Sequence, residues 1–408
     1  MSGPWFPVPD GRRPTGQARS VRAAAAVLLV VLALLAAGCA RFPDASSQPW
    51  RDNPEIGPEK VPSPQSPAPS EPSPPAAPQS GGPVPPPGPC VDPDPQVVAT
   101  CLAPVSAVVT LPGGTAALVA ERTTGRVLRV APDAPPQVVA TVAVDATGDG
   151  GLTGLALSPT YTEDQLIYAY ATTAAGNTVL RIAQGDVPKP VLSGIPRGPA
   201  TGNRGAIGVE PTGTLLVATG DAGDAASAAA PLSLAGKLLR IDPFGRPAPG
   251  DPDPTSPVIG SGLHSPGDVC ADVSSNTTWV TDRAGTRDVL LGVRPGSAPG
   301  GAAAAAPAWT WPDRPGVDGC AAGGGSLLVG LSGAKAMFAL KPTAEGRFVG
   351  APEAVLQNTY GRISGADLAS DGMLWIGTVN KDPGGTPGPT DDRVIRIRPP
   401  SGGGSGPD

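Results

Sequence analysis

Few side chains in this 408-residue sequence are of the types that carry acid–base or metal chemistry. The chain has one histidine, His264, and only 16% of its residues are charged. Because a histidine exchanges protons near neutral pH, His264 is a candidate base or anion-binding group, with a structural hydrogen bond in a loop as the alternative. Asp221 and Asp224 follow an apolar run and could hold a cation, although aspartates in such places also fix tight turns.

The same composition excludes several classes of site. A single histidine cannot build a His-rich zinc centre, and 29 basic against 35 acidic residues leave no positive surplus for nucleic acid. Asp145–Gly150 looks like the start of an EF-hand, but Ala156 occupies the twelfth position, where a bidentate carboxylate is required. No Gly-x-Ser-x-Gly elbow or phosphate loop occurs. Trp309 and Trp311 are candidates for stacking on a sugar ring, or for packing inside the fold.

Four cysteines are candidates for disulfides. An even number in an exported protein favours two bonds, and four cysteines allow three pairings. Cys90 with Cys101 is the local choice, which leaves Cys270 to pair with Cys320 over a long loop. A metal cluster is the rival interpretation, but the spacing matches no zinc pattern.

The N-terminus predicts export and a lipid anchor. Four arginines between positions 12 and 22 precede the apolar run Ala23–Ala37, which is shorter than the about 20 residues that span a bilayer but suits a signal peptide. The run ends at Cys39 in a sequence that resembles a bacterial lipobox, with an ordinary secretory signal as the alternative. We therefore expect residues 1–38 to be removed and Cys39 to be lipidated, because several acyl chains give stable anchoring on the extracytoplasmic face of the membrane. Loss of four Arg and one Asp with that signal changes the net charge from −6 to −9.

The next segment is predicted to be a linker. Residues 40–89 contain 17 prolines in 50 positions and no apolar periodicity, so residues 39–89 are predicted to form a lipidated, extended or disordered stalk. Residues 401–408 are predicted to be a flexible tail. The folded domain is therefore expected at residues 90–400.

Six sequence repeats make up the predicted folded domain and must position the candidate site residues. Each has a Gly-marked bend, an apolar strand, a turn and a second strand. Equivalent positions recur 47 to 59 residues apart, at Val130, Ile182, Ile241, Val293, Leu340 and Ile397. Further apolar runs, as at Gly154–Leu157 and Gln137–Ala140, make about four short strands per repeat with almost no helical period. This pattern predicts an all-β, six-bladed β-propeller of four-stranded blades; a two-sheet sandwich, the alternative, would not need six equivalent copies.

Several stretches within these repeats carry a family resemblance. They are Gly150–Pro159, Thr219–Gly223, Ser233–Ile241, Gly262–Pro266, Tyr360–Ile363 and Asp391–Val394. Together they resemble the glucose/sorbosone dehydrogenases that use pyrroloquinoline quinone (PQQ), a six-bladed propeller family. The resemblance implies PQQ and Ca²⁺ as cofactors and a sugar as substrate. With the lipobox and the proline-rich stalk, the chain also resembles the actinobacterial lipoprotein group LppZ.

The resemblance also assigns positions to a site. It aligns Ser158 with the family's general base, a histidine, and aligns His264 and Ser265 with an Arg-Asn pair that faces the quinone. A second family His and Arg align with Gly202 and Ala206. The candidate ligand- or cofactor-binding residues are therefore Asn203, Arg204, Asp221, His264, Ser265 and Arg362. No metal ligands are assigned.

The residues that replace the family's general base and arginines argue against the family's catalytic reaction in this chain. A serine hydroxyl is not a base near neutral pH without an activating partner, and the three carboxylates of PQQ lose guanidinium partners where arginines are replaced. The sequence therefore predicts an envelope lipoprotein whose central funnel binds a small molecule, such as a sugar, or a protein partner. The alternatives are an active PQQ-dependent sugar or alcohol dehydrogenase and a structural envelope scaffold, because fold alone does not decide function.

Overall fold

The computed structural model describes residues 90–251, 253–297 and 306–400. The predicted signal peptide, Cys39, the stalk and the tail of residues 401–408 lie outside these ranges. Within them, 24 strands form six four-stranded antiparallel sheets. The innermost strands of successive sheets contact one another, and the last contacts the first, which closes a ring. The predicted six-bladed β-propeller is therefore confirmed.

The strands follow the blades in chain order, apart from β1 (Val97–Ala99). Blade 1 comprises β2 (Val105–Thr110), β3 (Ala117–Glu121), β4 (Arg126–Ala131) and β5 (Ala134–Thr141). Blade 2 comprises β6 (Leu152–Leu157), β7 (Ile167–Thr173), β8 (Gly176–Ile182) and β9 (Lys189–Ile195). Blade 3 comprises β10 (Gly205–Val209), β11 (Leu215–Thr219), β12 (Lys237–Ile241) and β13 (Val258–Ser261).

The second half of the ring repeats this order. Blade 4 comprises β14 (Pro266–Asp272), β15 (Thr277–Ala284), β16 (Arg287–Val293) and β17 (Trp309–Trp311). Blade 5 comprises β18 (Val317–Gly323), β19 (Ser326–Leu331), β20 (Ala336–Leu340) and β21 (Glu353–Val355). Blade 6 comprises β22 (Ile363–Leu368), β23 (Leu374–Thr378), β24 (Val394–Ile397) and β1. Two short helices, α1 (Tyr161–Asp164) and α2 (Ala225–Ala229), lie in connections.

The apolar runs form the middle of each blade because blades pack face to face. Strands β3, β11 and β23 are buried at every position, since both of their faces meet a neighbouring blade. The core accordingly divides into clusters between adjacent blades, one of which joins Leu118 of blade 1 to Leu155 and Ile167 of blade 2. Among the described residues, no helix has the length and apolar character needed to cross a membrane.

Blade 6 is closed by a strand from the other end of the domain. Val97 of β1 pairs with Ile395 of β24, and Ala99 pairs with Val394, so the outermost strand of the last blade precedes the first repeat. This strand is three residues long and was not predicted from the sequence. Its pairing is non-local, so no turn signal beside it indicates the partner.

A disulfide joins blades 4 and 5 near the axis. Cys270 of β14 and Cys320 of β18 are bonded, with their Cα atoms 5.8 Å apart, a normal separation for a disulfide. At the start of the domain, the Cys101 thiol hydrogen-bonds with Cys90, and this contact and desolvation raise the pKa of Cys101. The predicted bond between Cys90 and Cys101 stays a prediction.

A candidate ligand site on the top face

All six candidate ligand residues lie on one face of the propeller. We call the face where the innermost strands begin the top face, and the face where they end the bottom face. Asn203 and Arg204 directly precede β10, His264 and Ser265 precede β14, and Arg362 precedes β22. Asp221 comes to the same face because β11 runs antiparallel to β10. The structure therefore brings these residues together from three blades.

Ser158 lies at the opposite end of the channel. It follows β6 and so belongs to the bottom face, and a six-residue strand spans about 20 Å. Its Oγ donates a hydrogen bond of 2.6 Å to Asp164 of α1. The position that the resemblance aligned with the general base is thus separate from the other candidates. The replacement at Ser158 therefore says nothing about proton transfer on the top face.

Three arginines and one aspartate form the charged centre of the top face. Asp318, at the start of β18, accepts hydrogen bonds from both Arg204 and Arg283. The Asp318 side chain is 1% exposed and that of Arg204 is 7% exposed. Arg204 belongs to blade 3 and Asp318 to blade 5, so their ion pair joins two blades that are not neighbours in the ring.

The arginines outnumber their carboxylate partners. Arg204 and Arg283 share Asp318, and Arg362 donates to the backbone carbonyls of Asp382 and Pro383 at 3.3 and 3.0 Å. Desolvation lowers the pKa of Arg283, and the charges of Arg204 and Arg362 act in the same direction. The Nε atom of Arg204 is buried without a hydrogen-bond partner among the described residues. The unused donor of Arg204 and the guanidinium of Arg362, which has only carbonyl partners, suit a ligand that carries carboxylates.

A histidine–aspartate pair stands beside the arginines. The Nδ1 atom of His264 contacts Oδ2 of Asp221, and their side chains are 43% and 10% exposed. Asp282 of β15 accepts hydrogen bonds from the backbone N–H groups of His264 and Ser265, at 3.1 and 2.7 Å. The backbone N–H of Arg283 donates to the carbonyl of Ser265 at 3.2 Å, so the histidine loop and the arginine centre share one strand.

Gly202 leaves room for this pair. A Cβ atom at position 202 would lie 2.4 Å from Oδ1 of Asp221, and Gly202 has a φ of +72°. The resemblance aligned a family histidine with Gly202, but here the space beside Asp221 on that side admits no side chain. His264, from the neighbouring blade, contacts the other carboxylate oxygen of Asp221 instead.

Arg204, Asp221, His264, Arg283, Asp318 and Arg362 together are called the top-face site below. Arg283 and Asp318 were not predicted as site residues from the sequence, because neither belongs to a motif: Arg283 follows Asp282 near the end of β15, and Asp318 is the one charged residue of β18. Conversely, Asn203 uses its side-chain amide inside its own loop, accepting from Gly198 N at 2.8 Å and donating to Gly198 O at 3.1 Å. Ser265 contacts the site through its backbone: its N–H donates to Asp282, and its carbonyl accepts from the N–H of Arg283.

The remaining candidates have structural roles. Asp224 caps α2 by accepting from the N–H of Ala226 at 3.0 Å, as the turn interpretation expected. Trp311 stacks on Phe338 with ring centroids 5.7 Å apart, and Trp309 packs edge-on against a second phenylalanine, so both tryptophans serve packing. In the described ranges, no group of three or more His, Cys, Asp or Glu side chains is arranged to hold a metal ion.

Two carboxylates face the lower part of the central channel. A cavity of about 350 Å³ there is lined by residues that include Ser158, Asp268, Asp367 and the disulfide. Desolvation raises the pKa of Asp268 to about 7 and also raises that of Asp367. Desolvation likewise raises the pKa of Asp282 and of Asp392 to about 6.

These raised pKa values predict that stability falls as the pH rises from about 4 to about 7. An unfolded aspartate titrates near 3.9, so in this range these four carboxyls bind more protons in the folded chain than in the unfolded chain. The stability contributed by the protonated carboxyls is then lost as the pH rises through the folded pKa. Urea unfolding at about pH 5 and about pH 8 measures the difference. Asp268→Asn is expected to reduce it; an undiminished difference in that variant would contradict the assignment.

Comparison with known proteins places this architecture in a family. The sequence profile of the glucose/sorbosone dehydrogenases matches residues 103–288. The PQQ-bound aldose sugar dehydrogenase from Streptomyces coelicolor is 30% identical with a TM-score of 0.68, covering 74% of this chain and 96% of that chain. A structure described as an oxidoreductase (glucose dehydrogenase) from Thermus thermophilus is 29% identical with a TM-score of 0.66, covering 74% and 98%.

More distant similarity concerns the fold alone. The soluble aldose sugar dehydrogenase from Escherichia coli is 18% identical with a TM-score of 0.62, covering 74% of this chain and 98% of that chain. Comparison with curated proteins finds no significant match. The identity and coverage of the Streptomyces enzyme, with the matching profile and the shared propeller, show that this chain belongs to the glucose/sorbosone dehydrogenase family.

Proposed function

We propose that this protein is a lipid-anchored propeller on the extracytoplasmic side of the cell membrane. Its top-face site binds a small molecule with several carboxylates, and PQQ is the ligand chosen to test this. The observation that carries the proposal is that two guanidinium groups share the single carboxylate of Asp318 while a third, Arg362, stands near them. The lipobox at Cys39 supports the anchor, and the same features agree with a place in the LppZ lipoprotein group.

The residues of the site fit the acidic groups of PQQ. An arginine fork matches a carboxylate in a bidentate manner, and Arg204, Arg283 and Arg362 would hold the three carboxylates of the ligand. The 30% identical Streptomyces structure is PQQ-bound, which supports a ligand of this class here. The proposal does not include Ca²⁺, because the carboxylates of the site are already engaged: Asp221 by His264, Asp282 by backbone amides and Asp318 by arginines.

Arg362→Gln is expected to weaken PQQ binding by about tenfold or more, because a charged hydrogen bond contributes about 1.5–3 kcal/mol. The folded state should tolerate the change, since Arg362 holds only backbone carbonyls and leaves no carboxylate unpaired in the described chain. Isothermal titration of the purified protein with PQQ measures the affinity. Arg347→Gln, the same loss of charge at an exposed loop position, is the matched control.

Two results would contradict the binding proposal. One is a wild-type protein that does not bind PQQ, and the other is equal affinity in wild type and Arg362→Gln. If PQQ fails to bind but the immobilised domain retains an envelope protein, a partner-binding or scaffolding role replaces the proposal.

A second candidate function is oxidation of a sugar or related alcohol at the same site. The specific observation in its favour is the His264–Asp221 pair, which provides a proton acceptor that the position of Ser158 does not. PQQ, when bound, supplies an ortho-quinone that accepts a hydride. Dye reduction by the PQQ-loaded protein with a panel of aldoses tests this function.

Ser158 is expected to have no part in either activity. Ser158→Ala should leave PQQ affinity unchanged, because the residue lies on the bottom face. It should lower the free energy of unfolding by about 1 kcal/mol, since the hydrogen bond to Asp164 is lost. Titration with PQQ and urea unfolding of the same preparation separate the two effects. A large loss of PQQ affinity would show that the two faces are coupled.

A further inference from the structure

We propose that His264 is the catalytic proton acceptor of the top-face site and that Asp221 is its positioning residue. The inference rests on the proposed binding of a quinone-class ligand at this site. The base thus comes from the loop before β14 of blade 4, and from neither of the positions, 158 and 202, at which the resemblance aligned a histidine.

The contact with Asp221 determines which ring nitrogen of His264 can accept a proton. A carboxylate only accepts hydrogen bonds, so the Nδ1 atom that faces it carries the proton. In the neutral ring the lone pair then lies on Nε2, and no described residue hydrogen-bonds that atom. A histidine held in this tautomer by a carboxylate is the arrangement that general-base catalysis requires.

The surrounding bonds hold both partners in place. The backbone N–H of Asp221 donates to the carbonyl of His264 at 3.1 Å, and Asp282 holds the N–H groups of His264 and Ser265. The N–H of Gly223 donates to Oδ1 of Asp221 at 2.8 Å, which leaves Oδ2 for the histidine. The ring is therefore fixed on one edge, while 43% of the side chain remains exposed to a ligand.

The reaction is a two-electron oxidation of an alcohol. With a quinone-class ligand bound, Nε2 of His264 would take the proton of the sugar hydroxyl while the C–O bond becomes a carbonyl. The ligand would supply the two-electron acceptor for the hydrogen on that carbon, which leaves with its electron pair. The substrate thus loses two electrons and two hydrogens, one as a proton on His264. Asp221 then stabilises the imidazolium that forms, as a carboxylate beside a charged ring does.

Because the chain has one histidine, the tautomer can be measured without ambiguity. Histidine labelled with ¹⁵N should show protonated Nδ1 and unprotonated Nε2 in the neutral wild-type protein. In Asp221→Asn, the N–H of Gly223 requires the amide oxygen at the Oδ1 position, so the amide NH₂ faces His264. Nδ1 must then accept, and the proton is expected to move to Nε2. Asp224→Asn, the same change three residues away at the cap of α2, should leave the wild-type spectrum.

Turnover and binding complete the test. At PQQ concentrations that titration shows to be saturating for each variant, His264→Asn and Asp221→Asn should each reduce aldose-dependent dye reduction by about 10²-fold or more. Equal turnover in these variants, no turnover in PQQ-loaded wild type, or a wild-type ring protonated on Nε2 would each overturn the inference. Absence of PQQ binding in wild type would instead overturn the proposed function, and this inference with it.

Discussion

Asp318→Asn is expected to destabilise the propeller by about 3–5 kcal/mol, the cost of leaving a buried charge without its partner. Asp318 is 1% exposed and is the shared partner of Arg204 and Arg283. Asparagine has nearly the same size but no charge, so both guanidinium groups would lose their counter-ion. Urea unfolding of the variant and the wild type measures the difference in the free energy of unfolding.

Two further variants separate the loss of the buried counter-ion from a general effect of replacing aspartate by asparagine. Asp186→Asn, which removes the carboxylate of an exposed pair with Lys189, should change stability little, since surface ion pairs contribute little. Arg204→Met in the Asp318→Asn background should recover part of the lost stability, because it removes one of the unpaired charges. A double variant as unstable as the sum of both single variants would contradict this account.

Removing the disulfide by Cys270→Ala with Cys320→Ala is expected to cost about 4 kcal/mol, the chain-entropy value for a loop of this size. The two residues are 50 positions apart, so the bond restricts a long segment of the unfolded chain. It also joins the innermost strands of blades 4 and 5 close to Asp318, two residues before Cys320. The free energy of unfolding by urea is again the measurement.

Because both cysteines are buried, their truncation also leaves empty volume. Reducing the bond chemically in a Cys90→Ala, Cys101→Ala background keeps the side chains at 270 and 320 and isolates the effect of the cross-link. The reduced protein should lose most of the same stability. If reduction costs nothing while truncation does, the contribution comes from packing and the entropic account fails.

The regular part of the fold was predictable from the sequence. The central strands of every blade pack against blades on both faces, so they are short apolar runs that the repeat makes visible, as at Leu215–Thr219. Turns between them require Gly at many bends, which sets the spacing of the runs. Strand β1 was not predictable in this way, because its three residues pair with β24 from the far end of the domain.

The candidate site was predictable only in part. Residues that precede an inner strand or follow the next one must share a face, which is why Arg204, His264 and Arg362 were brought together. Ser158 follows an inner strand, so the same rule places it on the bottom face, and motif similarity alone did not reveal this. Arg283 and Asp318 carry no motif, and only the ring shows that they meet Arg204.

By itself the sequence determined the number of blades, the apolar strands and the candidate groups at strand ends, because alternation, turns and burial are local properties of the chain. The tertiary structure decided which of those groups meet. Closing the ring brings Asp318 of blade 5 to Arg204 of blade 3 and His264 of blade 4 to Asp221 of blade 3. The members of these two pairs are 114 and 43 residues apart in the chain, so only the packing of whole blades brings them into contact.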